Sequence, residues 1–409
     1  MAGGDDTVAN NTGKKNIAIG TSTLGGATRS TDGDAFTGYQ NVAVGYEAGK
    51  SVTTGIHNTI LGNAAGDALT SGGYHVLIGS GAGASMTTNT LGSVAVGYNA
   101  LASQTVKGRT VAIGVQSLTA LDQTGQDDYN IAMGYRSGYT LATGLKNIFI
   151  GAFAGQETKG SQNTFVGYHA GTYAGPTSDS TYIGLFAGAY ATGSSNTFVG
   201  KSAGAGGTTS APYSSGQYNT AVGFQAFDAF TTANYSTAIG YNAGTAITTG
   251  NSNTLLGFGA GQSVSTGYAN TYLGVEAGIS NNGFDNVIIG RQAGYDATST
   301  DKLVLIGNSA GADINNAGAD GTVAIGWEAL RALTSPAGNT AIGYQAGHEL
   351  VTGAYNTIVG YQAGMNLDAG ESNNTIIGSG AMQEINNDSQ SNCIAIGVNA
   401  LKGNVASDG

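Results

Sequence analysis

One short pattern, Asn-Thr-x-Ile-Gly-x-x-Ala-Gly, returns about every 17 residues along this chain of 409, and nothing else constrains its fold as tightly. Counted on the glycine after the aliphatic residue, there are 22 copies, from Gly20 through Gly134 and Gly240 to Gly397, and 11 of the 21 spacings are 17 residues. No stretch between copies is long enough to build a separate core. The chain therefore reads as one repeat array over residues 16–401, with a polar segment 1–15 before it and a short tail 402–409 after it. Positions below are counted from the anchor glycine.

Position −3 is β-branched in every copy, as in Thr59, Val94, Ile148 and Thr254, and position −1 is aliphatic or Met, as in Val44, Leu61, Met133 and Ile239. Side chains alternate across a strand, so these two positions share a face. The intervening position −2 is apolar as well: Ala18, Ile60, Phe149, Phe165, Tyr182, Tyr272. A strand apolar on both sides needs cover on both. One thin coil covers only one side. We expect the −3 and −1 side chains, Ile239 among them, to point inward and the −2 face to pack on another subunit.

The corners are marked by small residues. Position +3 is Ala in 19 copies and position +4 is Gly in 15, which signals close backbone approach or positive φ. Position −4 is Asn in 14 copies, among them Asn41, Asn58, Asn163, Asn253 and Asn356. Asn suits turns, and its amide can bond one coil away in a ladder of about 4.8 Å spacing. The fold class expected is all-β: a parallel β-solenoid of about 22 coils, elongated and oligomeric.

Composition narrows the function. With 14 basic and 25 acidic residues the chain carries −11, which argues against nucleic acid as a partner. No apolar run is long enough to span a membrane, and no segment resembles a secretory signal. Cys393 is the lone cysteine, and His57, His75, His169 and His348 lie in different coils, so neither a metal nor a cofactor is expected. Hydrolase, phosphate-loop and calcium-roll motifs are absent, and the sparse acids do not form a paired-carboxylate groove. A non-enzymatic protein is the expectation.

Copies such as Ser93-Val94-Ala95-Val96-Gly97-Tyr98-Asn99-Ala100-Leu101, Thr110-Val111-Ala112-Ile113-Gly114 and Thr322-Val323-Ala324-Ile325-Gly326-Trp327-Glu328-Ala329-Leu330 resemble the YadA-like head repeat of trimeric autotransporter adhesins. Related repeats occur in shafts of trimeric bacteriophage tail fibres. The resemblance spans roughly residues 16–401 and implies a left-handed β-roll, assembly as a homotrimer, and a role in adhesion. The coil here is longer than the adhesin repeat, with extra length in Thr-Thr-Gly segments such as Thr53-Thr54-Gly55. Neither a heptad stalk nor a membrane anchor is seen, which favours a virion tail fibre over a bacterial surface protein.

Recognition is expected at two kinds of place. Position +1 is aromatic in ten copies, including Tyr46, Tyr98, Tyr135, Tyr168, Tyr241, Trp327, Tyr344 and Tyr361. Such rings can stack on sugars or merely on one another. The longer spacings place loops at 26–40, 119–129 and 205–217, with smaller ones at 312–321 and 383–392. Loops on rigid scaffolds commonly bind, so Asp32, Asp34, Tyr39, Asp127, Asp128, Tyr129 and Tyr213 are candidates. The function expected is a trimeric fibre segment attaching to a cell-surface glycan or protein receptor. A filament or surface-layer subunit is the alternative, and an ice-binding solenoid, suggested by Thr220, Thr237, Thr254 and Thr271, ranks lower.

Overall fold

The computed structural model describes residues 15–25, 37–88, 91–105, 108–122, 127–335, 337–368, 370–384 and 391–403. Asp32, Asp34, residues 1–14 and parts of the 26–40, 119–129 and 383–392 loops lie outside the described residues. Each of the 22 anchors ends a strand of three residues, and one 3-10 turn, Ala317–Ala319, is the single helical element among the described residues.

The chain divides into two compact units, residues 1–201 and 202–409. In the first, β1 (Ile17–Ile19) to β11 (Thr197–Val199) pair in sequence order, parallel and in register, so that Phe149 lies opposite Phe165 and Phe165 opposite Tyr182. The second repeats the arrangement from β12 (Thr220–Val222) to β22 (Ile394–Ile396), with Ala221 opposite Ala238 and Ala341 opposite Ile358. Each unit is a parallel β-solenoid with a repeat of about 17 residues.

The anchor must be glycine for two reasons that act together. Its φ lies far on the positive side, +134° at Gly97, a region essentially closed to other residues. An added Cβ there would also meet the carbonyl oxygen of Gly114, the next anchor, at 2.5 Å. Stacked anchors thus touch backbone to backbone. Positions −5 and +2 turn through the left-handed region too, but with side chains: Tyr235 at φ 58° and Gln345 at 50°. Their milder conformation is one that Asn, Gln and other residues tolerate where tertiary bonds hold it.

The faces are the reverse of the sequence expectation. Position −2 is the interior: Phe149, Phe165, Tyr182, Phe198, Ala238 and Ile358 have no exposure. Positions −3 and −1 point outward. Ile131 and Met133 of β7 (Ile131–Met133) are exposed, and Thr237 and Ile239 are half-exposed. Ile239 is therefore an outward residue. Both faces carry apolar side chains, so apolarity could not tell them apart; the small corner residues decide, because only −2 can enter the narrow coil between them.

A second core row, at position +7, completes the interior. Val52, Leu69, Met86, Leu141, Ile247, Leu333 and Leu350 are all fully buried. Glycine at +4 sits between the rows: a Cβ at Gly83 would lie 2.9 Å from Leu77 and 3.1 Å from Met86. In several coils the two rows trade volume. Ala132 at −2 faces Leu141 at +7 and Ala221 faces Phe230, whereas Phe165 is matched by Ala174 and Tyr182 by Ala191. Interiors pack near crystal density, so a ring in one row leaves room for little in the other. Tyr272, large at −2, goes further and donates its hydroxyl to the backbone carbonyl of Asn281 at +7, 3.2 Å away.

The asparagine ladder forms, with a geometry richer than amide on amide. Asn41 Oδ1 accepts from the backbone N–H of Asn58 at 3.0 Å, while Asn41 Nδ2 donates to the Gly55 carbonyl at 2.8 Å. Asn58 repeats both bonds to His75 and Gly72. Direct side-chain bonds join some rungs, such as Asn286 Nδ2 to Asn270 Oδ1 at 2.9 Å. Each buried Asn thus satisfies the turn of the next coil, which is a structural role. His75 stands in for Asn: its Nδ1 accepts from the Ser93 N–H at 3.2 Å.

Candidate interaction surface

The bonds that close each coil leave one broad surface unsatisfied by the chain itself. Strand alternation puts positions −5, −3, −1 and +1 on the outside and −4 and −2 within. Around Ile239 this reads Tyr235, Thr237, Ile239, Tyr241 outward and Ser236, Ala238 buried. The outer row is apolar at its centre and aromatic at both edges. Ile150, Ile183, Leu256, Leu273, Ile342 and Ile377 are exposed large apolar side chains of this row, all at −1. Exposed apolar surface repeated along many coils marks an interaction site rather than a solvated face.

The aromatic residues expected at +1 are at this surface. Tyr46, Tyr98, Tyr135, Tyr168, Tyr241, Trp327, Tyr344 and Tyr361 are all exposed. Their rings take two arrangements. Phe224, Tyr241 and Phe258 stack nearly parallel at 5.1 and 5.3 Å, as do Tyr344 and Tyr361 at 5.2 Å. Rings stacked this way cover each other's faces and offer edges to solvent, so a sugar cannot lie flat on them. Tyr135 and Tyr168 are set crosswise to neighbouring rings instead, at 89° to Phe153 and 79° to Phe186.

A second aromatic edge lies at −5 and −6, of which only Tyr39 and Tyr129 are singled out from the sequence, as loop residues. Tyr39, Tyr74, Tyr129, Tyr218, Tyr235, Tyr268 and Tyr355 are exposed there. Tyr218 and Tyr235 stack at 5.1 Å, His57 stacks on Tyr74 at 5.0 Å, and Lys302 places its ammonium 5.6 Å from the Phe284 ring. The signal was available at −5, which shares the parity of −3 and −1, but attention to the strand alone stops short of it.

The loop candidates divide. Tyr129 is exposed, its hydroxyl accepting from Arg109 at 2.8 Å, and Arg109 pairs with Asp127 at 3.1 Å. Asp128 is not a surface residue. It is fully buried, accepting from the Gln104 amide and, at 3.3 Å, from the Thr110 hydroxyl. Burial pushes its carboxyl up to about 7, against those two hydrogen bonds. Gln104 occupies the +7 core position of the coil whose −2 residue is Ala95, so the usual apolar +7 side chain is replaced here by a polar one. Tyr213 is half-buried in the 205–217 loop, whose ends are tied down: Gly207 N–H bonds Phe230 and Ser215 N–H bonds Thr231.

Polar ladders run along the corner at +2. Gln345 Nε2 donates to Glu328 Oε2 at 3.0 Å and Gln362 to Gln345 at 3.0 Å, and Gln383, at +5 of its coil, donates to Gln362 at 2.9 Å. The bond from Gln345 is the main reason the Glu328 carboxyl is held below its ordinary value, with His348 adding to it. Gln345 is half-buried in this ladder.

Among the described residues no three of His, Cys, Asp and Glu converge on a metal position. His57 and His75 part company, His57 lying between exposed tyrosines and His75 inside the coil. No helix is long and apolar enough to cross a membrane among the described residues. No protein-family profile matches the sequence, and no curated protein or solved structure matches it significantly.

Proposed function

We propose that this chain is a non-enzymatic segment of an attachment fibre, a homotrimer of left-handed β-rolls at a virion tail or a bacterial surface. One observation carries the reading: the −1 row of the outward strand face is apolar in coil after coil of both units. A single row of that kind is most simply satisfied by copies of itself, because the repeat of one chain matches the repeat of another in register. Parallel coils of equal pitch would bury the −3 and −1 rows together and leave the aromatic edges at the rim. The work of such a fibre is rigid reach combined with threefold avidity toward a glycan or protein receptor. Mass measured under native conditions tests the assembly. Three copies support it, and a stable monomer overturns it.

Ice binding gains one point from the structure. The threonines Thr220, Thr237, Thr254 and Thr271 stand in register on the outward face, not in the core. A monomer showing thermal hysteresis would favour that reading; a trimer that covers the row excludes it.

A further inference from the structure

The +1 corner of three successive coils, anchored on Gly134, Gly151 and Gly167, carries Tyr135, Ala152 and Tyr168. Two exposed tyrosines thus stand on either side of a residue that contributes only a methyl group. Neighbouring parallel strands are about 4.8 Å apart, so the two rings stand roughly 9–10 Å apart on either side of a shallow notch at Ala152. The Phe153 ring backs this notch, 5.2 Å from Tyr135 and 6.0 Å from Tyr168. Elsewhere successive rings fill this space, as Phe224, Tyr241 and Phe258 do.

The rear wall of the notch is rigid. Phe153, His169 and Phe186, all at +2, stack at 4.6 and 5.2 Å. Tyr168 crosses this stack at 79–84°, so no parallel partner lies on its ring there. Tyr135 crosses Phe153 at 89°. Neither ring gives a face to a parallel ring in a ladder, and both remain exposed.

Beside Tyr135 lies a cation held ready. The Arg136 guanidinium sits 5.3 Å from the Tyr135 ring and 5.1 Å from the Tyr139 ring, and its Nε donates to Gln116 Oε1 at 2.8 Å. That bond uses one of five donors and orients the rest. No carboxylate among the described residues lies within ion-pair distance of Arg136, although the chain is acidic overall and Arg109 has found Asp127. A fork of N–H donors on aromatic rings, without an internal anion, matches an external carboxylate.

We propose that this corner binds an acidic saccharide: Tyr135 and Tyr168 take the apolar faces of pyranose rings, and Arg136 takes a sugar carboxylate. The inference rests on the attachment reading and gives its receptor a chemical class. Titration calorimetry of the intact protein with tetragalacturonate, and with its fully methyl-esterified form, tests it. Saturable binding of the acid and at least about tenfold weaker binding of the ester are expected, the scale of a hydrogen bond to a charged group. Arg136→Gln should lower affinity for the acid by a similar factor. Ala152→Leu should block the notch without disturbing the fold, since Leu185 already occupies the same position one repeat beyond Tyr168. A Tyr344→Ala, Tyr361→Ala double change should leave binding as it was. Absence of saturable binding, equal affinity for acid and ester, or indifference to Ala152→Leu overturns the proposal. If the protein is a trimer and any of these holds, the saccharide inference alone is wrong. If it is a monomer that binds the acid through Arg136, the fibre reading fails and the site stands.

Discussion

The coils of Gly151 to Gly184 and those of Gly223 to Gly257 share one repeat pattern and solve it differently inside and out. In the first set the interior bulk comes from position −2, as Phe149, Phe165 and Tyr182, and +7 is Thr158, Ala174 and Ala191. In the second, Ala221 and Ala238 at −2 meet Phe230 and Ile247 at +7. Outside, the second set has consecutive rings at +1, and they stack into a ladder. In the first set, Ala152 and Leu185 interrupt the rings and aromatic residues at +2 turn Tyr168 crosswise. In these coils the backbone accepts the larger side chain in either row. Identity at single positions is free to serve the surface.

The sharpest way to break this comparison is to remove bulk on one side and restore it on the other. Phe165→Ala should cost about 3–5 kcal/mol of stability, since a ring leaves a cavity between two rigid neighbours. Adding Ala174→Leu should return part of that loss, whereas Ala174→Leu alone should cost about 1–3 kcal/mol by overpacking. Denaturant melts of the three variants measure the coupling. If the double change is no better than the sum of the singles, the two rows do not compensate and the shared girth is an accident.

The period was legible in the sequence because it is dictated by backbone contact: an anchor with φ near +134° and a carbonyl 2.5 Å from its missing Cβ admits glycine alone. The Asn rungs were legible for a similar reason, since they satisfy buried turns in the 14 coils that carry them. The direction of the faces was not. Thr237, Ala238 and Ile239 are all acceptable in a half-buried strand, and only the +7 row, invisible to a strand-centred reading, shows that the interior lies on the side of Ala238. Nor was the crosswise setting of Tyr135 and Tyr168 readable, because it depends on residues at +2 of the coils beside them.

A third kind of interior sharpens the contrast by replacing bulk with charge. Asp128, with Gln104 and Thr110, fills its coil by hydrogen bonds, and burial pushes it up to about 7 from the ordinary 3.8. The folded chain then holds a proton that the unfolded chain releases. This contribution to stability is full below about pH 4 and is lost as pH rises through about 7. Asp127 and Asp122 add to the rise. Asp128→Asn, which keeps the shape and cannot ionise, should flatten that part of the profile and melt higher than the wild type at pH 8. A wild-type melting temperature that climbs from pH 5 to pH 8, with no difference in the variant, would show that the carboxylate is well solvated.

Inside and outside can be separated on a single strand. Ala238→Asp places an unpaired charge in the closed coil and should cost several kcal/mol. Ile239→Asp, one residue on and facing out, should change the melting of an isolated chain by less than about 1 kcal/mol while dissociating the assembly. Native mass together with thermal melts distinguishes the two. Equal loss of fold stability in both variants would return Ile239 to the interior.

The smallest expected effect tests the parallel ladders, and with them the claim that stacked rings are scaffold. Tyr361→Ala removes one face-to-face partner of Tyr344, 5.2 Å away, at an exposed corner where the backbone bonds of the coil remain. Aromatic pairs contribute about 0.5–1.5 kcal/mol beyond their area, and half-exposed ones fall at the low end. A melting shift of that size is expected, with no change in oligomeric mass. Tyr168→Ala, by contrast, removes a ring set across three others and should weaken tetragalacturonate binding far more than it lowers the melting temperature. The pair of measurements on each variant is what matters, because a corner ring that serves only to shield its coil moves stability and leaves binding alone. If Tyr361→Ala abolishes ligand binding while Tyr168→Ala leaves it intact, the assignment of edge-on rings to scaffold and crosswise rings to recognition is inverted.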